Sequence, residues 1–250
     1  MTGHRVELFG VPVDALTMNE AVDRIRTWVN TGFEHQHVSL NAAKIVELTR
    51  DPSLAELIGA CDLVSADGKS VVWASRVLGR PLPERVCGID LMERLVEAAA
   101  QDRHSVFLLG ARPEVVARTA KVLKERHPDL MVAGYHHGYW QNDDEVIDVI
   151  RAAHPDYLFL GIPSPKKEYW LNAHLADLKV PVAIRVGGSF DVVAGLYRRA
   201  PRWMQDRGLE WMWRLSQEPR RMWKRYLYGN SAFIALVVRE RLRRPQAVSG

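Results

Sequence analysis

Ser105-Val-Phe-Leu-Leu-Gly110 and Asp156-Tyr-Leu-Phe-Leu-Gly161 are short, almost unbroken apolar runs, each closed by a glycine. A strand with one wet face alternates apolar and polar residues, whereas a strand covered on both faces does not, and unbroken runs of this length mark the central strands of a parallel sheet. Pro113 follows the first run and Pro165 the second, each near the start of a helix-like segment. Working outward, strand-like and helix-like runs alternate along the whole chain, which is the pattern of βα units. His37–Leu40, Cys61–Ser65, Leu130–Ala133 and Val182–Val186 are the other predicted strands, with Val6–Phe9 expected at an edge. Helix starts carry their own signals. Thr17 and Glu20 form a capping box, Asp51-Pro52 has the N-cap and first-turn proline pattern, and Asn142 with Glu145 opens a later helix. The predicted fold class is α/β, a Rossmann-like parallel sheet sandwich with ligands at the carboxyl ends of its strands.

Composition changes after Gly195. Thirteen Lys and Arg against four acids give residues 195–250 a formal charge of +9, so the +4 of the whole chain hides a body of −5. Trp203, Trp211, Trp213 and Trp223, half of the eight tryptophans, fall in the same stretch. Tryptophan beside arginine suits an anionic lipid surface or a phosphate-bearing ligand, and a solvated charged helix is the plainer alternative. The expected division is a Rossmann-like domain over 1–195 and a basic, Trp-rich helical C-terminal appendage over 196–250, whose second helix starts at Pro219. With 47% hydrophobic residues, 250 residues suffice for one domain plus an extension. Two cysteines, Cys61 and Cys87, fit a reducing compartment. The N-terminus lacks the apolar core of a signal peptide, and no run nears the roughly 20 apolar residues of a membrane span. The expectation is a cytoplasmic protein with peripheral membrane contact.

Several familiar chemistries lack their motifs. There is no G-x-G-x-x-G, no Walker A sequence, no Gly-x-Ser-x-Gly elbow and no Asp-x-Asp pair. His35 with His37, and His136 with His137, have no Cys or carboxylate partners at ligand spacing and read as structural histidines. No cofactor and no metal are predicted. What remains are polar residues at the carboxyl ends of the strands: Ser39 and Asn41, Asp67, Arg85, Lys167 and Glu168, and Gly187, Gly188 and Asp191. Together they offer hydrogen bonds for a sugar, a carboxylate able to act as base, and cations for a diphosphate. Taken singly, Asn41 and Asp67 fit equally well as caps of the helices that follow them.

Asn41, Ala66-Asp67-Gly68, Arg85-Val86-Cys87-Gly88, Phe107-Leu108-Leu109-Gly110, Gly138-Tyr139, Ser164-Pro165-Lys166-Lys167-Glu168, Gly187-Gly188-Ser189-Phe190-Asp191, Arg199-Ala200-Pro201, Gly208-Leu209-Glu210-Trp211 and Arg214-Leu215 occur in order at suitable spacing. Over about residues 5–227 this series resembles the motifs of the WecG/TagA/CpsF bacterial glycosyltransferases. The resemblance implies an inverting, metal-independent transfer of a sugar from a UDP-sugar to a polyprenyl-diphosphate-linked saccharide. The setting it implies is cell-surface polysaccharide synthesis (teichoic acid, common antigen or exopolysaccharide) at the inner face of the cell membrane. It makes Asp67 the catalytic base, puts the Ser39 hydroxyl where the family usually has threonine, and makes Arg214 and Arg221 the appendage arginines that neutralise the departing diphosphate. Lys167 departs from the family's glutamine. The expected partners are the UDP-sugar, the lipid-linked acceptor and an anionic membrane surface, with a homo-oligomer left open and no nucleic acid. A non-catalytic module that binds a nucleotide or nucleic acid through its basic arm is the alternative, and the ordered motif series favours the enzyme.

Overall fold

The computed structural model describes residues 4–243, without the side chains of 220–222 and 224–228. The chain opens with a hairpin of β1 (Arg5–Leu8) and β2 (Val11–Asp14), and α1 (Met18–Trp28) begins at the Thr17–Glu20 capping box. There follow β3 (His35–Leu40), α2 (Ala42–Leu48), α3 (Pro52–Gly59), β4 (Leu63–Ala66), α4 (Lys69–Val77) and the long α5 (Gly88–Asp102). The second half alternates strictly: β5 (Ser105–Gly110), α6 (Pro113–Arg126), β6 (Met131–His136), α7 (Asp143–Ala153), β7 (Tyr157–Gly161), α8 (Lys166–Leu178), β8 (Val182–Arg185) and α9 (Ser189–Val193).

Strands β3 to β8 form one parallel sheet in the order β4-β3-β8-β7-β5-β6. The two unbroken apolar runs are therefore neighbours inside the sheet, with Leu108 opposite Phe159. Both faces are covered, which is why neither run alternates. Residues of α1, α5, α6 and α9 pack on one face and residues of α7 and α8 on the other. The closing glycines meet as register partners, Gly110 with Gly161. A Cβ on Gly110 would lie 2.5 Å from the backbone of Gly161, and one on Gly161 would lie 2.5 Å from the Phe190 ring. A side chain on Gly110 would push β5 from β7, and one on Gly161 would wedge the sheet from α9. From β3 the chain steps outward to β4, then crosses to β5 on the far side, so the strand order reverses between β3 and β8. Such a reversal leaves a crevice at the carboxyl ends of the two strands.

The first strand is not an edge of this sheet. β1 pairs only with β2, antiparallel, through a turn in which Phe9 and Gly10 both adopt positive φ. The outer side of β4 is occupied instead by a side chain. Asp14, buried and ion-paired to Arg5 and Arg24, accepts the N–H of Val64 at 2.9 Å. A charged cap of this kind ends strand addition. Two elements were not expected: β2 itself, and α9, which lies within residues 187–195, a stretch that reads from sequence as a loop. Others differ at their ends, as with α5, which begins at Gly88 rather than Asp90.

Beyond α9 lie α10 (Arg202–Asp206), α11 (Glu210–Gln217) and α12 (Pro219–Arg243), the last starting at the expected proline. α12 returns to the body and lies along α2. Phe233 is buried among the residues of β1 to β4, its ring 5.7 Å from that of Phe9. The basic tail thus shares the body's apolar core. Phe233→Ala should cost about 3 kcal/mol in urea unfolding, the usual loss for an aromatic truncated in a core. A cost below about 1 kcal/mol, the range of surface substitutions, would show that α12 merely rests on the body.

Candidate active site

Ser39 on β3 and Ser65 on β4 are register partners, and Asp67 stands two residues past Ser65, so alternation puts all three on one face. The ladder extends past the strand ends. The N–H of Asp67 bonds to the carbonyl of Leu40 at 2.7 Å, and that of Val86 to the carbonyl of Ala66 at 2.9 Å. The second bond draws the loop Arg85-Val86-Cys87-Gly88 alongside Asp67. There the Asp67 carboxylate accepts hydrogen bonds from the Cys87 side chain and the Gly88 N–H. It does not cap the next helix: the N-cap of α4 is Gly68, at φ 118°, with no side-chain cap. Burial lifts the Asp67 pKa above the ordinary carboxylate value. Arg85 and the two hydrogen bonds oppose that rise, while Glu210 adds to it. A carboxylate raised in this way is a better proton acceptor than a solvated one.

Asn41, by contrast, does cap. Its Oδ1 accepts the N–H of Lys44 at 3.0 Å and fixes the start of α2. Arg85 is paired as well, with Glu210 of α11 at 2.6 Å and Asp90 of α5 at 3.4 Å. Asp90 is also held by both terminal nitrogens of Arg199, which reaches Gln205 at 3.2 Å. Body and appendage are thereby joined by alternating charges next to Asp67.

The second wall is the turn after β8. Gly187 has φ 56° and leads into Gly188 and α9. A Cβ at Gly187 would lie 3.6 Å from Lys167 Nζ, and one at Gly188 would lie 3.0 Å from an Arg214 guanidinium nitrogen and 3.9 Å from the Asp191 carboxylate. Lys167, Asp191 and Arg214 therefore gather at this turn, Arg214 coming from α11. Lys167 is buried rather than turned to solvent. Glu168 is wholly buried, and its Oε1 meets Lys44 Nζ at 2.5 Å, the Ser164 hydroxyl at 2.9 Å and Lys167 Nζ at 3.9 Å, while its Oε2 has no hydrogen-bond partner among the described residues. Burial works to raise the Glu168 pKa, yet Lys44 and Lys167 outweigh it and hold the group below its ordinary value. Glu168 is a fixed anion. Arg221 lies in α12, and its side chain is outside those described.

Sequence reasoning did not single out Lys44, Asp90 or Ser65 for the site, named Arg199 only within a motif, and read His37 as a surface or hydrogen-bonded structural histidine. The alternation His37-x-Ser39 beside Ser65-x-Asp67 was the available signal for two of them. Among the described residues, no three His, Cys, Asp or Glu side chains gather as a metal site. Among them, too, no helix is long and apolar enough to cross a membrane.

Residues 6–247 match the model of the glycosyl transferase WecG/TagA/CpsF family. An N-acetylglucosaminyldiphosphoundecaprenol N-acetyl-beta-D-mannosaminyltransferase of Staphylococcus aureus is 36% identical over 224 residues, which cover 88% of this chain and 86% of that protein. A protein of the same name from Bacillus spizizenii is 35% identical over 195 residues, 78% of this chain and 76% of that one. On a match of this length, with the two-walled crevice beneath it, the chain belongs to the WecG/TagA/CpsF family of glycosyltransferases.

Proposed function

We propose that the protein transfers a sugar from a UDP-sugar to a polyprenyl-diphosphate-linked saccharide, with inversion, in the synthesis of a bacterial cell-surface polysaccharide. The names of its relatives make an N-acetylmannosaminyl donor and an N-acetylglucosaminyl-diphosphate-lipid acceptor the first pair to test. One observation carries the reading: a buried-raised carboxylate, Asp67, and two cations, Lys167 and Arg214, stand on opposite walls of the crevice at the strand-order reversal. In the reaction the acceptor hydroxyl gives its proton to Asp67 as its oxygen attacks the anomeric carbon. The bond from that carbon to the donor's phosphate oxygen breaks on the opposite face, and its electron pair leaves with UDP. A single displacement inverts the centre. Charge developing on the diphosphate is met by Arg214, Lys167 and, from α12, Arg221, over a Gly187-Gly188 turn that lets phosphate approach the backbone.

The remaining residues have supporting roles in this reading. Ser39 and the amide hydrogens of Asn41 bind sugar oxygens, and Asp191 accepts from the nucleoside. Arg85 holds the wall that carries Asp67, and Glu168 anchors Lys167. The appendage is the contact with the anionic inner face of the membrane. Trp203, Trp211 and Trp223 are exposed on it, and so are Ile234, Val238 and Leu242, one helical turn apart along α12. Each cation near such a surface contributes on the order of 1 kcal/mol.

Asp67→Asn should lower turnover by about two to four orders of magnitude, the usual yield of a general base, with UDP affinity little changed. Release of UDP is the assay, and turnover within about tenfold of the parent would remove Asp67 from the base role. The same substitution has a stability signature. A carboxyl group whose folded pKa is raised holds its proton longer in the folded state, so stability falls as pH rises from the unfolded value through the folded one. Asp67→Asn should then melt higher than the parent at pH 7, the difference vanishing once pH drops below the unfolded carboxylate range. Arg214→Ala should slow turnover while excess EDTA leaves the parent rate largely intact; strict dependence on Mg²⁺ or Mn²⁺ would contradict a diphosphate site built from the chain's own cations. Sedimentation with anionic vesicles should fall as salt rises through the physiological range, and equal binding to neutral vesicles would count against the appendage as an electrostatic anchor.

A further inference from the structure

His37 lies beneath the crevice, on the face that carries Ser39, Ser65 and Asp67, and is fully buried. Its Nε2 is 2.8 Å from the Ser65 hydroxyl, which is itself 3.3 Å from the Ser39 hydroxyl. Ser65 is buried and Ser39 is half-buried, so the three groups form a line from the interior to the crevice. The line ends beside the proposed base. The position of a Cβ on Gly88 would be 3.6 Å from Ser39 Oγ and 4.0 Å from Asp67 Oδ2.

The direction of each hydrogen bond follows from counting protons. Burial, with Arg185 and Lys44 nearby, pushes the His37 pKa down to about 3, so the imidazole is neutral and carries one N–H. His37 Nδ1 has no hydrogen-bond partner among the described residues. A proton there would be a buried donor without an acceptor, at a cost of about 1–3 kcal/mol, whereas a proton on Nε2 is donated to Ser65. The tautomer is therefore Nε2–H. Ser65, having accepted from His37, has one proton to give, and the neighbour in line is Ser39. Ser39 then accepts from Ser65, and its own proton is left to face the crevice.

We propose that His37 is a positioning residue, which acts through Ser65 to hold the Ser39 hydroxyl as a hydrogen-bond donor into the crevice, toward Asp67 or an oxygen of the bound sugar. This rests on the glycosyl-transfer reading of the crevice. Its chemical content is a polarity: the single proton of Ser39 is free for an acceptor atom in the crevice, while one of its two lone pairs is taken by Ser65. Without His37 the Ser65 and Ser39 hydroxyls are free to reverse, and the crevice meets a lone pair where it had met a proton.

Two measurements test this, one with no reference to activity. In ¹⁵N-histidine-labelled protein, His37 should show a neutral ring with the proton on Nε2, unchanged from pH 5 to 8; an Nδ1–H tautomer or an imidazolium would overturn the proposal, whatever the enzyme's substrate. In the UDP-release assay with N-acetylmannosaminyl donor and N-acetylglucosaminyl-diphosphate-lipid acceptor, His37→Phe should lower turnover about tenfold, the order of one oriented hydrogen bond. His37→Gln, which keeps a donor at the reach of Nε2, should recover most of that loss. Because His37 acts only through Ser39, His37→Phe should cost nothing further in a Ser39→Ala background. A full additional loss there, in variants that melt cooperatively near the parent, would mean that His37 serves only packing and would overturn the relay. Failure of the parent to turn over this substrate pair while the Nε2–H tautomer is observed would count against the substrate reading alone.

Discussion

Arg85 stands between Glu210 and Asp90, and the geometry of the crevice depends on that placement. Its guanidinium is half-buried, so its charge needs close anions. It takes one from α5 in the body and one from α11 in the appendage. Arg199 closes the figure by gripping the same Asp90. Partly buried pairs of this kind lose far more when one partner is removed than they gain on formation, since the survivor is left charged and desolvated. The four side chains therefore form a joint that holds as a unit. Its position beside Asp67 ties electrostatics to architecture. Arg85 draws the Asp67 pKa down and Glu210 pushes it up, so displacement of α11 would change the proton affinity of Asp67 as it moved Arg214 away from Gly188. The +9 tail and the −5 body carry opposite net charge, and this joint fixes how they meet.

Much of the body could be read from sequence because parallel α/β sheets advertise themselves locally. The runs at 105–110 and 156–161 lack alternation for the reason given by their burial on both faces, and the capping box at Thr17 needs only a four-residue window. What could not be read depends on residues far apart in the chain. β1 and β2 look like any short strands until Asp14 is seen to take the N–H of Val64, fifty residues on. Glu168 at its strand exit was legible, but its ion pair with Lys44 was not, since no local pattern links the two. Asp67 had two local readings, cap or open carboxylate. The choice between them rests on the bond from Val86 to Ala66, which moves the start of α5 against the carboxylate and leaves Gly68 to begin α4. The tail's composition shows its charge but not its packing. One residue in its last helix, Phe233, is part of the same apolar cluster as the first two strands.

The proposed chemistry asks the two walls of the crevice for opposite things, and the fold supplies them by opposite means. Near Asp67 a proton must be accepted, so the carboxylate has to be poorly solvated but not neutralised. The backbone of α5 and a thiol supply weak hydrogen bonds there, while Arg85 is kept occupied by Glu210 and Asp90 and does not pair with Asp67 directly. Near Gly187 and Gly188 negative charge must be received, and there the cations are brought to bare backbone. Glu168, wholly buried, is ion-paired to Lys44 and lies 3.9 Å from Lys167, the cation that faces Gly187. Charges fixed before substrate arrives need little reorganisation as the leaving group departs, which is where preorganised electrostatics lowers a barrier. A sheet whose order reverses between β3 and β8 puts both walls at the carboxyl ends of its strands, and Arg214 reaches the second from the appendage. In the proposed reading the crevice is therefore incomplete until α11 has docked, and α12, which lies along α2, belongs to the same appendage. The Phe233 contact that anchors the tail is then as much a part of the site's assembly as the residues that line it.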